Sequence, residues 1–230
     1  MTKTREERRG QLYRDRIEAG RVLGAHLAEY RGKGVLVLGI PRGGVPVAAE
    51  VARELNAELD VVVARKLGAP GQPELAIGAV TANGGRFLNE ELIRGLEVSD
   101  AYLDEVTAAE MAEARRREER FRGGRPAPHL VGRTIIIVDD GLATGATMRA
   151  AVRSVRRAAP ERVVAAVPVG SPDACAELGR EADEVVCPYQ PYPFWAIGYF
   201  YLHFEPTEDI EVQDILEEWH ARLAGRPQRA

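Results

Sequence analysis

Five short runs of apolar residues alternate with amphipathic stretches along the chain. GVLVLGI (34–40), LDVVVA (59–64), TIIIVD (134–139), RVVAAVPV (162–169) and EVVCP (184–188) are too short for most helices and rich in β-branched residues. Each run therefore predicts a buried strand. Helical spacing follows the first run in VPVAAEVAREL and the third run over about 145–158. This order predicts an α/β fold in which helices cover both faces of a parallel sheet.

Both ends of the chain are also predicted to be helical. Apolar residues recur near helical spacing within residues 5–30, and a second helix is expected over about 209–223. The residues on the apolar face of the first helix are Leu12, Ile17, Leu23 and Leu27. At 230 residues and without an internal repeat, the chain is long enough for one well-buried domain with elaborations.

A long insertion separates the second predicted strand from the third. Over about 66–87, turn residues surround a short run of strand formers, which predicts a long, mobile hairpin. A charged helix is expected from 99 to about 121, with Ser99 and Asp100 as candidate caps. The sequence RGGRPAPH then ends that helix.

Composition and charge narrow the class of protein. The shares of hydrophobic residues, 45%, and of charged residues, 29%, are ordinary for a globular domain. The formal net charge of −4 lacks the positive field of a dedicated nucleic-acid binder, and glutamates interrupt the basic run at 115–125. No apolar run approaches the roughly 18 residues of a membrane span, and no signal core follows the charged first residues. We therefore expect a cytoplasmic protein without nucleic acid or a membrane as partner.

The cysteines and histidines do not form a recognisable metal or redox motif. Cys175 and Cys187 match neither a CxxC pair nor a zinc ligand set, and we expect both thiols to be buried and unbridged. The four histidines are scattered along the chain: His26, His129, His203 and His220. No directly bound metal is predicted from them.

The strongest candidate chemistry follows the third predicted strand. Asp139 and Asp140 stand at its carboxyl end, where adjacent acids repel each other unless a cation, hydroxyl groups or solvent stabilise them. The small residues of GLATGAT let backbone amides approach an oxyanion, and its threonines offer hydroxyl donors before a helix N-terminus. Ala146 stands where a Walker A loop needs lysine, and no predicted strand is followed by GxGxxG. The pattern predicts a ligand that carries both hydroxyls and a phosphate.

The run VDDGLATGAT resembles the phosphoribosyl pyrophosphate (PRPP) signature of the type I phosphoribosyltransferases. The resemblance implies that Asp139 and Asp140 hold the ribose hydroxyls. The residues implied to wrap the 5-phosphate are Ala143, Thr144, Gly145, Ala146 and Thr147. It also implies a single phosphoribosyltransferase-like domain over 1–230, with its core at about 34–169, a helical insertion at about 89–125, and a small hood and C-terminal extension at about 170–230.

A second match lies after the first predicted strand. LGIPRGGVPVA resembles the pyrophosphate loop of that family, which in many members contains an unusual cis peptide. Arg42 offers a forked donor for diphosphate oxygens, while Gly43 and Gly44 allow close approach of the backbone. Lys66 begins the hairpin, where the family has a flexible loop that closes over the reaction centre. A lysine that simply faces solvent is an equal alternative at that position.

The resemblance implies transfer of ribose 5-phosphate from PRPP to a nitrogen acceptor, with release of pyrophosphate. We expect Mg²⁺, bound mainly through the ligand, to disperse the charge of the leaving group, with Arg42 and Lys66 assisting as catalytic residues beside Asp139 and Asp140. A homodimer is expected from the family.

The acceptor is not identified by the sequence. Ala143 stands where the hypoxanthine-guanine branch usually has an acid/base Asp, and the adenine and orotate branches lack that acid too. Tyr192, Phe194 and Trp195 are weak candidates for stacking on a base, but such aromatic residues more often pack a core or an interface. A protein that binds PRPP as a regulator without turnover stays an alternative, and a hydrolase or phosphorylase of a related phosphosugar is a weaker one.

Overall fold

Strands and helices alternate through most of the computed structural model, which describes residues 12–224. The strands in chain order are β1 Leu36–Gly39, β2 Glu58–Val61, β3 Ala64–Ala69, β4 Gln72–Thr81, β5 Arg86–Leu88, β6 Thr134–Val138, β7 Arg162–Ala166 and β8 Glu184–Val186. The α-helices in chain order are α1 Arg16–His26, α2 Gly44–Leu55, α3 Glu90–Gly95, α4 Asp100–Arg122, α5 Ala146–Arg156, α6 Pro172–Leu178 and α7 Asp209–Ala224. The predicted α/β class is confirmed.

A five-stranded parallel sheet in the order β2-β1-β6-β7-β8 forms the centre. The chain first moves from β1 to the edge strand β2, and later resumes on the other side of β1 with β6. Gly39 is paired with Val138 at the ends of β1 and β6. In an open parallel sheet, the point where the strand order reverses opens a crevice beyond the carboxyl ends. The loops after β1 and β6 meet at that point.

Helices cover both faces of the parallel sheet because its strands are apolar on both sides. Val37, Ile136 and Val164 face a cluster that contains residues of α1, α2 and α7. Ile135 and Ile137, on the opposite face, pack with residues of α5 and α6. Burial on two faces explains why these strands are continuous apolar runs instead of alternating ones.

The predicted hairpin is part of a small antiparallel sheet in the order β3-β4-β5. Leu67, Ile77 and Val80 are fully buried and pack with Leu103 of α4. Gly85 allows the turn before β5 to pack closely on α5, because a Cβ at this position would lie 2.5 Å from the Cβ of Ser154. The base of the hairpin is therefore held between α4 and α5, and the exposed residues lie around its tip at 70–74.

Several element boundaries differ from the sequence prediction. The part of the first predicted helix before residue 12 lies outside the described residues; the observed helix begins at Arg16, after Asp15, whose carboxylate accepts from the backbone N–H of Glu18 at 2.9 Å. Leu12 precedes the helix and is 43% exposed, so its assignment to the buried face was wrong. The second strand ends at Val61 instead of continuing to 64, because the chain there leaves the parallel sheet and Ala64 begins the antiparallel one.

The predicted start of the charged helix is confirmed, whereas two predicted strands end early. Ser99 caps α4 as expected, accepting from the backbone N–H of Tyr102 at 3.3 Å. The fourth and fifth strands are shorter than their apolar runs. Within residues 12–224, none of the helices is both long and apolar enough to cross a membrane.

Candidate active site

The loop after β1 and the loop after β6 are in direct contact. Ile40 donates its backbone N–H to the carbonyl of Val138 at 2.9 Å, which continues the pairing of the two strands. Gly44 faces the same segment, and a Cβ there would lie 2.8 Å from the Val138 oxygen and 2.9 Å from the Cα of Asp139. No side chain fits in that space. Gly44 is therefore needed for the two loops to approach each other. This requirement explains the glycine at this position even when no ligand is bound.

The first of these loops contains a non-proline cis peptide between Pro41 and Arg42. This agrees with the cis peptide that the resemblance implies for the pyrophosphate loop. Arg42 leaves the loop toward the start of α7, where its Nη1 lies 3.5 Å from Glu208 and 3.9 Å from Asp209. Its guanidinium remains partly open to solvent. Arg42 is therefore placed at the surface of the crevice with only loose ionic partners.

Asp140 is bound by an arginine that the sequence analysis did not single out. Its Oδ2 accepts a hydrogen bond from Nε of Arg16 at 2.8 Å, and both side chains are only 12% exposed. Arg16 also donates Nη1 to the carbonyl of Glu205 at 2.8 Å and stacks on Phe204, 3.9 Å from the ring centre. The ion pair lies over Gly43, where a Cβ would clash with both side chains. Gly43 therefore leaves room for this pair.

Asp139 lies beside Asp140, and both carboxyl groups have a pKa above the ordinary range of an aspartate. Asp139 as a whole residue is half-buried. The main cause that raises the pKa of its carboxyl well above that range is removal from bulk water, and the second cause is the negative charge of Asp140. Burial raises the pKa of Asp140 as well, although the adjacent Arg16 opposes the shift. The backbone N–H of Asp140 donates to Oδ1 of Asp139 at 2.9 Å. This is the strained pair of acids that the sequence predicted.

The loop that follows the two acids leads into α5. Gly145 has a φ of +77° at the N-cap and provides no capping side chain, so the first N–H groups of α5 are left for another acceptor. Ser171 donates its hydroxyl to the carbonyl of Ala143 at 2.9 Å, and its backbone N–H to that of Leu142 at 2.8 Å. Thr144 is exposed and Thr147 is half-buried. The N-terminus of α5 therefore has no side-chain cap at Gly145.

Lys66 faces a cavity of about 500 Å³ between the antiparallel sheet, α4 and Pro41. Its neighbour Arg65 is paired with Glu110 at 2.7 Å, whereas Lys66 has no carboxylate within 4.0 Å among residues 12–222. The ammonium group of Lys66 is one of the charges that oppose the rise in the pKa of Asp139. Lys66 therefore lines the same cavity as Pro41 of the loop after β1.

The aromatic segment after β8 forms a hood over the acids. Tyr201 is buried and donates its hydroxyl to the carbonyl of Asp140 at 2.7 Å, and Ile197 packs where Gly141 has no side chain. Phe194 packs against Phe200, with ring centres 5.3 Å apart. Tyr192 and Trp195 are 89% and 75% exposed. The stacking of a base on Tyr192, Phe194 or Trp195 stays a prediction, with Phe194 engaged in hood packing.

Several residues of this crevice were missed by sequence reasoning: Arg16, Tyr201, Phe204, Glu205 and Glu208. Their only sequence signal was their position, since Arg16 lies in the predicted N-terminal helix and the other four residues lie in the segment where a hood and C-terminal extension were expected. Cys175 is buried as predicted, while Cys187 is only half-buried, and both thiols are free. Among the described residues, no three His, Cys, Asp or Glu side chains come together as a metal site.

Comparison with protein families matches residues 10–199 to the phosphoribosyl transferase domain. Two relatives from Mycobacterium tuberculosis, Rv0571c of strain H37Rv and MT0597 of strain CDC 1551, have the provisional name phosphoribosyl transferase. Each is 49% identical to this chain over 214 residues, which is 93% of this chain and 48% of the relative. The chain thus spans about half the length of the curated relatives it matches.

Two solved structures are similar as well. TT1426 from Thermus thermophilus is 47% identical with a TM-score of 0.76, over 90% of this chain and 98% of that one. The AQ2163 protein from Aquifex aeolicus is 14% identical with a TM-score of 0.50, over 87% and 83% of the two chains. The second likeness concerns the fold alone.

Proposed function

We propose, from the premise that the chain belongs to the phosphoribosyl transferase domain family, that it transfers ribose 5-phosphate from PRPP to a nitrogen acceptor, a nucleobase, and releases pyrophosphate. One observation carries the proposal. A pair of acids with raised pKa values stands between an uncapped helix N-terminus and a loop that presents an arginine, all at the switch point of the sheet. These are the groups that a phosphorylated sugar with a diphosphate requires.

The 5-phosphate would bind at the start of α5. Gly145 provides no capping side chain, so the first N–H groups of α5 would donate to the phosphate, which the helix dipole also favours. Thr144 and Thr147 would add hydroxyl donors. The bond from Ser171 to the carbonyl of Ala143 holds the loop in shape before the ligand arrives.

The ribose hydroxyls would bind to the two acids. Arg16 occupies Oδ2 of Asp140 and leaves its Oδ1 to accept from one hydroxyl, while Asp139 accepts from the other. A carboxylate below the sugar also stabilises the positive charge that grows on the anomeric carbon as the bond to the diphosphate breaks. The diphosphate leaves with the electron pair of the broken bond while the acceptor nitrogen bonds to the same carbon, and the proton of that nitrogen then passes to the released pyrophosphate or to solvent.

The diphosphate would lie over Arg42, Gly43 and Gly44, with Lys66 approaching from the antiparallel sheet. Arg42 has only loose partners, at 3.5 and 3.9 Å, so a forked contact with a diphosphate can replace them. The exposed tip of the hairpin at 70–74 is the part that could close over the bound donor. Closure would exclude the water that otherwise hydrolyses PRPP.

Mg²⁺ is the cofactor that the family implies, and in this proposal it would be held mainly by the oxygens of the substrate. Asp140 is already engaged by Arg16. The carboxylate of Asp139 would remain available to the ion beside the oxygens of PRPP. When bound, the ion would disperse the negative charge of the leaving diphosphate.

The acceptor would bind under the hood, and the chain would act as a homodimer, as the family suggests. Ala143 cannot exchange a proton with a 6-oxopurine, so the acceptor's proton must leave by another route. The hood contacts the site through Ile197, Tyr201 and Phe204. These side chains, more than Tyr192 and Trp195, lie close enough to Asp140 to shape the acceptor pocket.

The experiment is a pyrophosphate-release assay with PRPP, Mg²⁺ and each of a panel of purine and pyrimidine bases. The test variant is Asp139→Asn/Asp140→Asn, and the matched control is Glu177→Gln, a half-buried acid paired with Arg180. Release that depends on one base and is lost only in the double variant supports the transferase. Tight PRPP binding without base-dependent release would instead favour a regulator, and release without any base would favour a hydrolase.

A further inference from the structure

The turn that joins β4 to β5 lies among four arginines from three elements. Arg115 of α4 donates to the carbonyl of Ala82 at 3.2 Å, and Arg157, just after α5, donates to that of Gly84 at 3.2 Å. Arg153 of α5 donates to the carbonyl of Arg86 at 2.9 Å. We name the set of Arg86, Arg115, Arg153 and Arg157 the arginine cluster.

The arginine cluster has little compensating negative charge. Arg153 is paired with Glu181 through two contacts of 2.7 and 3.0 Å. For the other three, no carboxylate lies within 4.0 Å among residues 12–222. The chain as a whole is negative, with a formal charge of −4. Three uncompensated guanidinium groups around one turn repel one another, and an anion would relieve that repulsion.

A cavity of about 480 Å³ lies against three of these four side chains, and Arg115 does not line it. It is lined by Arg86, Arg153 and Arg157, together with Thr107, Met111 and the backbone of the turn. Its lining contains no acidic side chain. The volume falls in the range of about 300–1,000 Å³ that small ligands occupy, and the Thr107 hydroxyl, 3.5 Å from Nη1 of Arg86, supplies a further polar group.

This cavity is separate from the candidate active site. A helix rises roughly 1.5 Å per residue, so Arg153 and Arg157 lie roughly 10 and 16 Å along α5 from Ala146 in the 5-phosphate loop. None of Asp139, Asp140 or Arg42 lines it. A ligand here would touch the distal half of α5, whose first turn carries the proposed phosphate cradle.

We propose that the arginine cluster binds a small anion with two or more phosphoryl groups, of the inorganic pyrophosphate or nucleoside polyphosphate class, at a second site. Guanidinium groups match phosphate oxygens with parallel hydrogen bonds, and several of them around one cavity suit a multiply charged ligand. Such an anion bridges α4, α5 and the β4–β5 turn. It therefore stabilises the folded chain and holds the antiparallel sheet on the helix that leads from the phosphate loop.

The test separates the two sites by substitution. Titration calorimetry with pyrophosphate and with ATP is done in an Arg42→Ala/Lys66→Ala background, which removes the proposed diphosphate contacts of the active site. In this background we expect saturable binding of one anion per chain. Adding Arg86→Gln/Arg157→Gln weakens that binding roughly tenfold or more, whereas adding Arg94→Gln/Arg180→Gln, which removes two exposed arginines elsewhere, changes it less than about twofold.

The conservative variant Arg86→Lys/Arg157→Lys keeps the charge and loses the fork, so its affinity is expected between those of the parent and the glutamine variant. Pyrophosphate should also raise the melting temperature of the Arg42→Ala/Lys66→Ala protein, which would confirm that the anion binds the folded chain. No saturable binding in the Arg42→Ala/Lys66→Ala background, or equal weakening in the cluster and control variants, would overturn the proposal. Preference for long oligonucleotides over ATP and pyrophosphate would overturn it as well.

Discussion

Arg16 and Asp140 form an ion pair, with Nε and Oδ2 2.8 Å apart, although 124 residues separate them in sequence. The pair joins the first helix to the acid motif, and through Glu205 and Phe204 it also joins the hood. An acid proposed to bind a ribose hydroxyl is thus oriented by a residue outside both loops that resemble the family's motifs.

Arg16→Ala is expected to destabilise the chain at pH 7. The substitution leaves the buried carboxylate of Asp140 without its counter-charge, and losing one partner of such a pair lowers the free energy of unfolding by about 2–4 kcal/mol. Urea denaturation measures the change. Asp140→Asn in the Arg16→Ala background should recover part of the loss, because no buried charge then remains; equal stability of the wild type and Arg16→Ala would contradict this assignment.

The raised pKa of Asp139 predicts a pH-dependent stability. An acid whose pKa is higher in the folded state than in the unfolded state binds its proton more tightly when folded, so stability falls as the pH rises through that range. Asp139→Asn keeps the hydrogen bond to the N–H of Asp140 and removes the charge. We expect the variant to be more stable than the wild type at pH 7.

That difference should narrow as the pH falls toward about 4 and should vanish below it, where aspartates are protonated in both states. Urea unfolding of Asp139→Asn and wild type across pH 4–8 gives the comparison. A variant that is less stable than the wild type at pH 7 would show that the negative charge of Asp139 does not destabilise the folded chain.

Gly44→Ala should separate the two loops. The new Cβ would lie under 3 Å from the Val138 oxygen and the Asp139 Cα, which are backbone atoms that cannot rotate away. We expect a loss of about 1–3 kcal/mol of stability and weaker PRPP binding. Gly95→Ala is the matched control, because nothing lies within 4 Å of its Cβ position, and alanine in that helix should be neutral or slightly stabilising.

Lys66→Ala should impair the reaction without harming the fold. Lys66 is exposed on β3, so its removal creates no cavity, but the diphosphate loses a cation as it departs. A loss of about 10²-fold in kcat/KM for pyrophosphate release is expected, with an unchanged melting temperature. Lys33→Ala removes a lysine that precedes the amino end of β1, opposite the carboxyl ends that border the crevice, and should leave the rate intact. Equal rates for Lys66→Ala and the wild type would return Lys66 to the alternative of a solvent-facing residue.

The sequence predicted much of the fold because the relevant signals are local. Apolar runs of four to eight residues identify buried strands, and their alternation with helical spacing leads to a parallel sheet. Once β1 and β6 are neighbours, the loops that follow them must meet. The sequence could therefore place Asp139, Asp140, Arg42 and the loop 143–147 at one edge of the sheet, since the carboxyl ends of parallel strands lie at the same edge. Their roles as site residues rest on the family resemblance and stay predictions.

The sequence determined the ends of the strands and the presence of the antiparallel sheet less well. The apolar run at 59–64 continues past the end of β2, because Val62 and Val63 are buried where the chain turns into β3. Burial alone does not distinguish a strand from a buried connection. Similarly, the turn-rich segment predicted a hairpin, but its third strand and its anchoring through Gly85 depend on the surface of α5.

By itself, the sequence determined the α/β order, the two loops and the acids between them, because hydrophobic period and motif spacing are properties of neighbouring residues. Only the tertiary structure decided which distant charges meet: Arg16 with Asp140, Arg42 with the start of α7, and the four arginines around one turn. Such pairs depend on how whole elements pack. No local pattern records that a guanidinium will face a carboxylate more than a hundred residues away.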